Sequence, residues 1–71
     1  MTVAPSSVRG TLGELEECVT ILDQELRGVR ANVDNSTQAG ARVEGEISIA
    51  LIALGAAQLR IRRAYQRAAE L

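Results

Sequence analysis

The densest group of side chains that could carry chemistry is a run of arginines near the carboxyl end. Segment 60–67 contains Arg60, Arg62, Arg63 and Arg67, with Tyr65 among them. Guanidinium groups bind phosphates and other anions, so these arginines are candidates for anion contact, and Tyr65 is a candidate for recognition. Nine acidic residues against eight basic ones give a net charge of −1 and favour pairing of the arginines within the chain. We therefore expect no strong binding of nucleic acid.

The remaining reactive side chains offer no catalytic or metal-binding set. Glu14 and Glu17 have a spacing that presents two carboxylates on one helix face, but di-metal sites of that kind also need histidine, and the sequence has none. The same absence removes the usual base of a catalytic triad. Cys18 is the one cysteine, so it cannot form an intramolecular disulfide, and a partly buried position beside a helix seam is expected for it. The sequence predicts a protein that is not an enzyme and needs no metal or cofactor.

Apolar residues of the amino-terminal half recur at alternating steps of four and three. This heptad spacing is typical of a helix that buries one seam, and it predicts a helix over 8–33. Pro5 disfavours an earlier start and Ser6 or Ser7 can cap the helix, so residues 1–7 are expected to be a lead-in. The predicted seam consists of Val8, Leu12, Leu15, Val19, Leu22, Leu26, Val29 and Val33.

A run of turn-forming residues, Asp34-Asn35-Ser36-Thr37, interrupts the apolar pattern and predicts a turn near 34–38. Ser36 or Thr37 is expected to cap a second helix over 38–70. This helix repeats the heptad rhythm of the first. Its predicted seam consists of Val43, Ile47, Ala50, Leu54, Ala57, Ile61, Ala64, Ala68 and Leu71.

These elements predict an all-α protein in which residues 8–71 form an antiparallel two-helix hairpin. The charges support the hairpin, because helix one begins acidic and helix two ends basic, so folding places opposite signs side by side. Arg27 and Arg30 should likewise meet two acidic residues of helix two. These are Glu46 and Glu44. One continuous helix is the alternative, since the heptad phase does not slip across the turn and an antiparallel pair of such rods would satisfy the same charges.

A second apolar stripe on helix two has no place in a two-helix seam and therefore needs a further partner. Small residues within it would let another helix approach closely. We expect the partner to be a second copy of the chain or a related helical hairpin, joined in a bundle. The predicted partner interface consists of Ile49, Ile52, Ala53, Ala56 and Leu59.

The carboxyl-terminal segment 59–70, an alanine-rich stretch with Tyr65 and Glu70, resembles the end of small type VII (ESX) secretion proteins of the WXG100 group. Segment 3–9 is similar to the lead-in of those proteins. The resemblance implies a hairpin that pairs with another hairpin into a four-helix bundle, and export without a cleavable signal peptide. The chain departs from the family in having no tryptophan for the Trp-x-Gly turn, and in having Ala69 where the export signal carries an acidic residue.

The sequence thus predicts a non-enzymatic interaction module that forms a homo- or hetero-oligomeric bundle, with a type VII secretion-associated protein as its specific form. The alternative is a small regulator or inhibitor, such as an antitoxin or a phage anti-defence protein, that binds a larger target or sequesters an anionic ligand. The longest apolar stretch, 47–59, is shorter than the roughly 20 residues of a membrane span, and no secretory signal is visible. We expect a cytoplasmic protein, unless it is secreted by a route that reads no signal peptide.

Overall fold

The computed structural model describes the backbone of residues 5–71 and the side chains from residue 7 onward. Two helices account for most of it: α1 spans Pro5–Ala31 and α2 spans Gln38–Ala68. The described residues contain no strand, and α1 packs antiparallel to α2 in a slab of 51 × 20 × 15 Å. The prediction of an all-α hairpin is confirmed, and the single continuous rod is wrong.

α2 begins at Gln38, as predicted, but the other three helix boundaries differ from the predicted ones by two or three residues. α1 begins at Pro5 instead of Val8. Proline is well suited to the first helical position, because its fixed φ is helical and its missing N–H would have no helical acceptor there. Ser6 and Ser7 therefore lie inside the helix and do not cap it. Residues 1–4 of the predicted lead-in lie outside the described residues. α1 ends at Ala31 and α2 at Ala68, short of the expected 33 and 70.

The turn is held by side chains that the sequence singled out. Asp34 accepts two hydrogen bonds from Ser36, one from the amide nitrogen at 3.0 Å and one from the hydroxyl at 2.6 Å. Thr37 is the N-cap of α2, and its Oγ1 accepts a hydrogen bond from the Gly40 amide at 3.0 Å. Gly40 lies so close to the turn that a β-carbon there would collide with the Asp34 carbonyl oxygen. The chain therefore reverses through a short, side-chain-braced connection, and Thr37 is confirmed as the cap.

The contact between the helices is rotated relative to the predicted seam. Alternate members of each predicted seam lie between the helices as expected, but Leu15, Leu22 and Val29 of α1 are exposed. Their places are taken by neighbours one position further along each helix. The half-buried or buried residues at these substituted positions are Glu16, Asp23 and Arg30 on α1 and Glu44, Leu51, Gln58 and Tyr65 on α2.

Very little of the chain is fully buried. Among the described residues, only Leu51 and Ala68 are buried, with 7% and 6% of their surfaces exposed. Two helices can enclose only one narrow strip of side chains, and a small fold of this kind usually needs an additional stabilising element. The rotation of the helices increases the exposed apolar surface, because three of the eight predicted seam residues of α1 and four of the nine of α2 are exposed.

Candidate interaction surfaces

One long side of the hairpin is closed by polar contacts between the helices. Arg62 Nε donates to Glu16 Oε1 at 2.8 Å, which joins the acidic start of α1 to the basic end of α2. One turn further along, Gln58 Nε2 donates to Thr20 Oγ1 at 2.9 Å. Thr20 Oγ1 in turn donates to the Glu16 carbonyl oxygen at 3.1 Å. We call this side, lined by Gly13, Glu16, Glu17, Thr20, Gln58, Arg62 and Tyr65, the polar side.

Tyr65 is the most enclosed candidate residue of the carboxyl-terminal group. Its ring lies against Gly13, where an added β-carbon would be 3.5 Å from Cε2, and the Arg9 guanidinium lies over the ring at 4.5 Å from its centroid. The ring is half-buried. A cation over an aromatic face is a favourable electrostatic contact. Tyr65 of α2 is therefore in contact with two residues of α1, and the side chain contributes to holding α1 against α2.

The other candidate arginines are not paired in the way the charge pattern predicted. Arg60, Arg63 and Arg67 are exposed, and no salt bridge within 4.0 Å forms on any of them among the described side chains. Arg62 is the member of the cluster that finds an acidic partner on α1. The prediction that the cluster pairs within the chain therefore holds for one of its four members.

The expected pairing at the turn end of the hairpin is also absent from the described part of the chain. Arg27 was expected beside Glu46, but its Nε bonds Asp23 Oδ2 on its own helix at 2.8 Å. Asp23 lies one helical turn before Arg27, so this pair needs no contact with α2 at all. Opposite charges do pair between the helices toward the open end of the hairpin, through Glu16 and Arg62. Nearer the turn, the salt bridge of Arg27 is made within α1.

The opposite long side of the hairpin is an open apolar groove. Its described lining consists of side chains without charge, and its two walls differ in size. The wall formed by α1 consists of leucines, whereas the wall formed by α2 is mostly alanine. A continuation of the groove toward the free ends of the helices is lined by Val8, Leu12, Ala64, Ala68 and Leu71, with Arg67 at its rim. We call the central part, lined by Leu22, Leu26, Ala50, Ala53, Leu54 and Ala57, the apolar groove.

The predicted partner interface lies mainly on the outer face of α2, away from α1. Ile52 and Ile49 are 74% and 62% exposed, and Leu59 is 47% exposed. Ala56 is exposed as well, whereas Ala53 lines the apolar groove. We call Ile49, Ile52, Ala56 and Leu59 the outer stripe. The structure thus brings the outer stripe and the groove together as two neighbouring apolar surfaces on α2, joined through Ala53.

Several other expectations can be set against the structure. Cys18 is exposed, so its predicted partly buried position is wrong. It lies on the turn before Leu22, and that row of α1 faces outward because of the rotated seam. Within the described residues, no cluster of three or more potential ligands could hold a metal ion. Neither described helix is long and apolar enough to cross a membrane.

Comparisons with known proteins give no relative for this chain. No protein-family model, no curated protein and no solved structure matches it.

The apolar groove is the surface that sequence reasoning missed. Leu22, Ala50 and Ala57 were placed inside the seam, because heptad spacing identifies an apolar face without fixing which part of a wide face meets the neighbouring helix. A signal was present in the sequence. On α2 the apolar residues cover more than one stripe, so a single neighbouring helix could never have covered all of them.

Proposed function

We propose that this chain is a non-enzymatic interaction module that assembles with other helical hairpins into a bundle. The observation that supports this most strongly is the exposure of Ile49, Ile52 and Leu59 next to an open apolar groove, in a chain with two buried residues among those described. Leaving this much apolar surface in water forgoes the main stabilising contribution available to a small fold. A helical partner that covers it would supply that contribution.

The experiment that tests this proposal replaces the outer stripe without touching the seam. A variant with Ile49→Gln, Ile52→Gln and Leu59→Gln should keep its helicity by circular dichroism but lose the partner bound through the outer stripe. Light scattering on the chain alone, and after co-expression with the product of a neighbouring gene, should then give a lower mass than for the wild type in at least one of these two settings. Ser7→Gln, on an exposed position near the start of α1, is the control and should assemble as the wild type does. A helical wild-type chain that is monomeric in both settings would contradict the proposal.

A type VII secretion-associated protein is the specific form of this proposal. The hairpin architecture supports it, and the enclosed position of Tyr65 bears on its test. Because the ring packs on Gly13 and under Arg9, replacing it would disturb the hairpin as well as any export signal. Glu70→Gln is the cleaner variant, since Glu70 is exposed beyond the end of α2. We expect loss of export from cells with a type VII system and unchanged helicity; export at the wild-type level would contradict this form.

A small inhibitor that docks on a larger protein is the second candidate. The outer stripe supports it, because Ile49, Ile52 and Leu59 lie at spacings that place them on one exposed helix face, the arrangement by which a helix binds in an apolar groove of another protein. The nature of the partner separates the two candidates. The inhibitor binds one larger, unrelated target, whereas the bundle proposal requires a partner that is itself a helical hairpin; the triple glutamine variant should lose either one.

A further inference from the structure

The apolar groove runs beside the seam and has walls of unequal height. Leu22 and Leu26 stand on the α1 side. On the α2 side, Ala50, Ala53 and Ala57 form a low floor beside the half-buried Leu54. A partner that fills such a groove must present large side chains over α2 and small ones over α1. The same face of a second copy meets this requirement. Its α1 carries leucines that can lie over α2, and its α2 carries alanines that can lie over α1.

The chain exposes more surface than is typical of a folded monomer of its mass, and a second chain of the same size could bury the difference. The chain exposes 5382 Å², whereas a folded monomer of 7.6 kDa typically exposes about 4,300 Å². The difference of about 1,100 Å² is larger than the roughly 800 Å² per partner that a standard stable interface buries. A short peptide in the groove would cover only part of this excess, but a second hairpin laid along the groove would cover most of it.

Charges at the rims favour one arrangement of two copies. Arg67 lies at the rim of the groove on α2, and Arg60 occupies the same face two turns earlier. On α1, Glu14 lies two turns before Leu22 and shares its side of the helix. Because Glu16 lies opposite Arg62, Glu14 lies at a height between Arg60 and Arg67. None of these three side chains takes part in a salt bridge with a described residue.

We infer that a second copy of this chain fills the apolar groove, related to the first by a twofold axis parallel to the helices. Such a rotation keeps every residue at its own height and places α1 of each copy over α2 of the other. Leu22 of one copy then lies over Ala53 and Ala57 of its partner. Glu14 of one copy lies between Arg60 and Arg67 of the other, and every contact occurs twice.

The other face-to-face twofold arrangement has its axis perpendicular to the helices. The groove residues and the charged residues at its rims disfavour this arrangement. It would place α1 over α1, with Leu22 against the leucine wall of the other copy and the low alanine floors facing each other across a gap. It would also bring acidic rims together, since Glu14 and Glu25 both lie on the α1 side. The two arrangements differ in which residues approach Cys18, which makes that residue a convenient reporter.

This inference rests on the proposed function but concerns a different surface, so the two can fail separately. By light scattering, the wild-type chain should have about twice its 7.6 kDa mass, and Leu22→Glu should reduce it to the mass of one chain. Ile52→Glu is the matched control, because Ile52 is also exposed but lies on the outer stripe; it should leave the dimer intact. A helical wild-type monomer, or a dimer lost with Ile52→Glu and kept with Leu22→Glu, would overturn the inference and leave the proposed module to be judged by its own test.

A disulfide test decides the geometry even where Leu22→Glu fails to fold. In the inferred dimer, Cys18 of one copy faces the floor of the other near Ala57, so Ala57→Cys should give a covalent dimer under mild oxidation. Adding Cys18→Ser to that variant should abolish the cross-link, since the two introduced cysteines lie on diagonal helices. Ready cross-linking of the wild type through Cys18 alone, or of the Ala57→Cys variant without Cys18, would contradict the axis parallel to the helices.

Discussion

The two long sides of the hairpin carry depressions of similar volume, but they differ in the contacts that the chain makes across them. The depression on the polar side measures about 410 Å³ and the apolar groove about 470 Å³. Across the polar side, Glu16 bonds Arg62 and Thr20 bonds Gln58, so facing groups satisfy each other within one molecule. Across the apolar groove, leucines face alanines with open space above them. The polar side and the seam therefore hold the hairpin closed, whereas nothing in the described chain covers the apolar groove.

This difference shows how a short chain can separate folding from association. Hydrogen bonds and ion pairs are directional, so the polar contacts help to fix how each helix is rotated about its axis. Apolar burial is not directional and scales with area. The apolar surface that the hairpin does not cover can therefore be buried against another molecule. Substitutions at residues that hold the hairpin should therefore lower its stability more than matched substitutions at residues outside those contacts.

The largest effect is expected in the seam. Leu51→Ala should lower the free energy of unfolding by about 2–3 kcal/mol, because it removes most of a buried side chain and leaves a cavity. Ile52→Ala, at the next position, should change it by less than about 0.5 kcal/mol, because Ile52 is 74% exposed. Urea unfolding at one fixed chain concentration measures both. Equal losses at the two positions would mean that the outer stripe is already buried in the folded chain.

The next effect is expected at the turn. Gly40→Ala should destabilise the hairpin by about 1–3 kcal/mol, because the added β-carbon meets the Asp34 carbonyl oxygen, which belongs to the backbone. Gly45→Ala is the control within the same helix, since nothing lies within 4 Å of a β-carbon there. It should stabilise α2 by up to about 1 kcal/mol through helix propensity alone. Thermal unfolding midpoints that shift in opposite directions are the expected result, and shifts of the same sign would contradict the tight turn.

A smaller effect is expected on the polar side. Glu16→Gln should cost about 0.2–1 kcal/mol, because both partners of the Glu16–Arg62 pair remain partly in water. The neighbouring Glu17→Gln removes the same charge without removing a salt bridge and should cost less. The difference between the two variants should shrink in high salt, as screening weakens the pair. A difference that is independent of salt would show that Glu16 acts through packing and not through charge.

The smallest effect concerns the pH dependence of the turn. Hydrogen bonds from the Ser36 hydroxyl, and then from the Ser36 amide, hold the pKa of Asp34 below its ordinary value of 3.8. A carboxyl group with a lowered pKa stabilises the fold above its unfolded value, and that contribution is lost as the pH falls through the folded value. The unfolding midpoints of the wild type and Asp34→Asn should therefore converge as the pH is taken below 3.8. A gap that stays constant would show that the carboxylate charge has no part in the turn.

The architecture could be predicted from the sequence because it depends on local and periodic signals. Asp34, Ser36 and Thr37 bond backbone groups within a few residues, so the turn and the cap can be identified without knowledge of the tertiary structure. Seven-residue spacing identifies the apolar face of each helix in the same way. The start of α1 was misplaced because Pro5 can either precede a helix or occupy its first position, and the sequence permits both.

The rotation of the seam could not be predicted, and the groove depends on it. Ala57 and Gln58 are adjacent on α2, and composition favours the alanine as the buried member. The structure half-buries Gln58 instead, where its amide reaches Thr20 across 38 positions of sequence. Such a contact between distant residues leaves no periodic trace. The further partner of α2 stays a prediction from the sequence, while the position of the leucine and alanine walls could be seen only in the structure.

The central claim, that the apolar groove is covered by association while the polar side holds the hairpin, can be tested most directly through Cys18. This exposed thiol lies on the groove side of α1, one turn before Leu22. We would measure its rate of labelling by a maleimide over a range of chain concentrations, in the wild type and in Leu22→Glu. The account predicts slower labelling of the wild type, with a difference that grows as concentration rises. Equal rates in the two proteins at every concentration would contradict it.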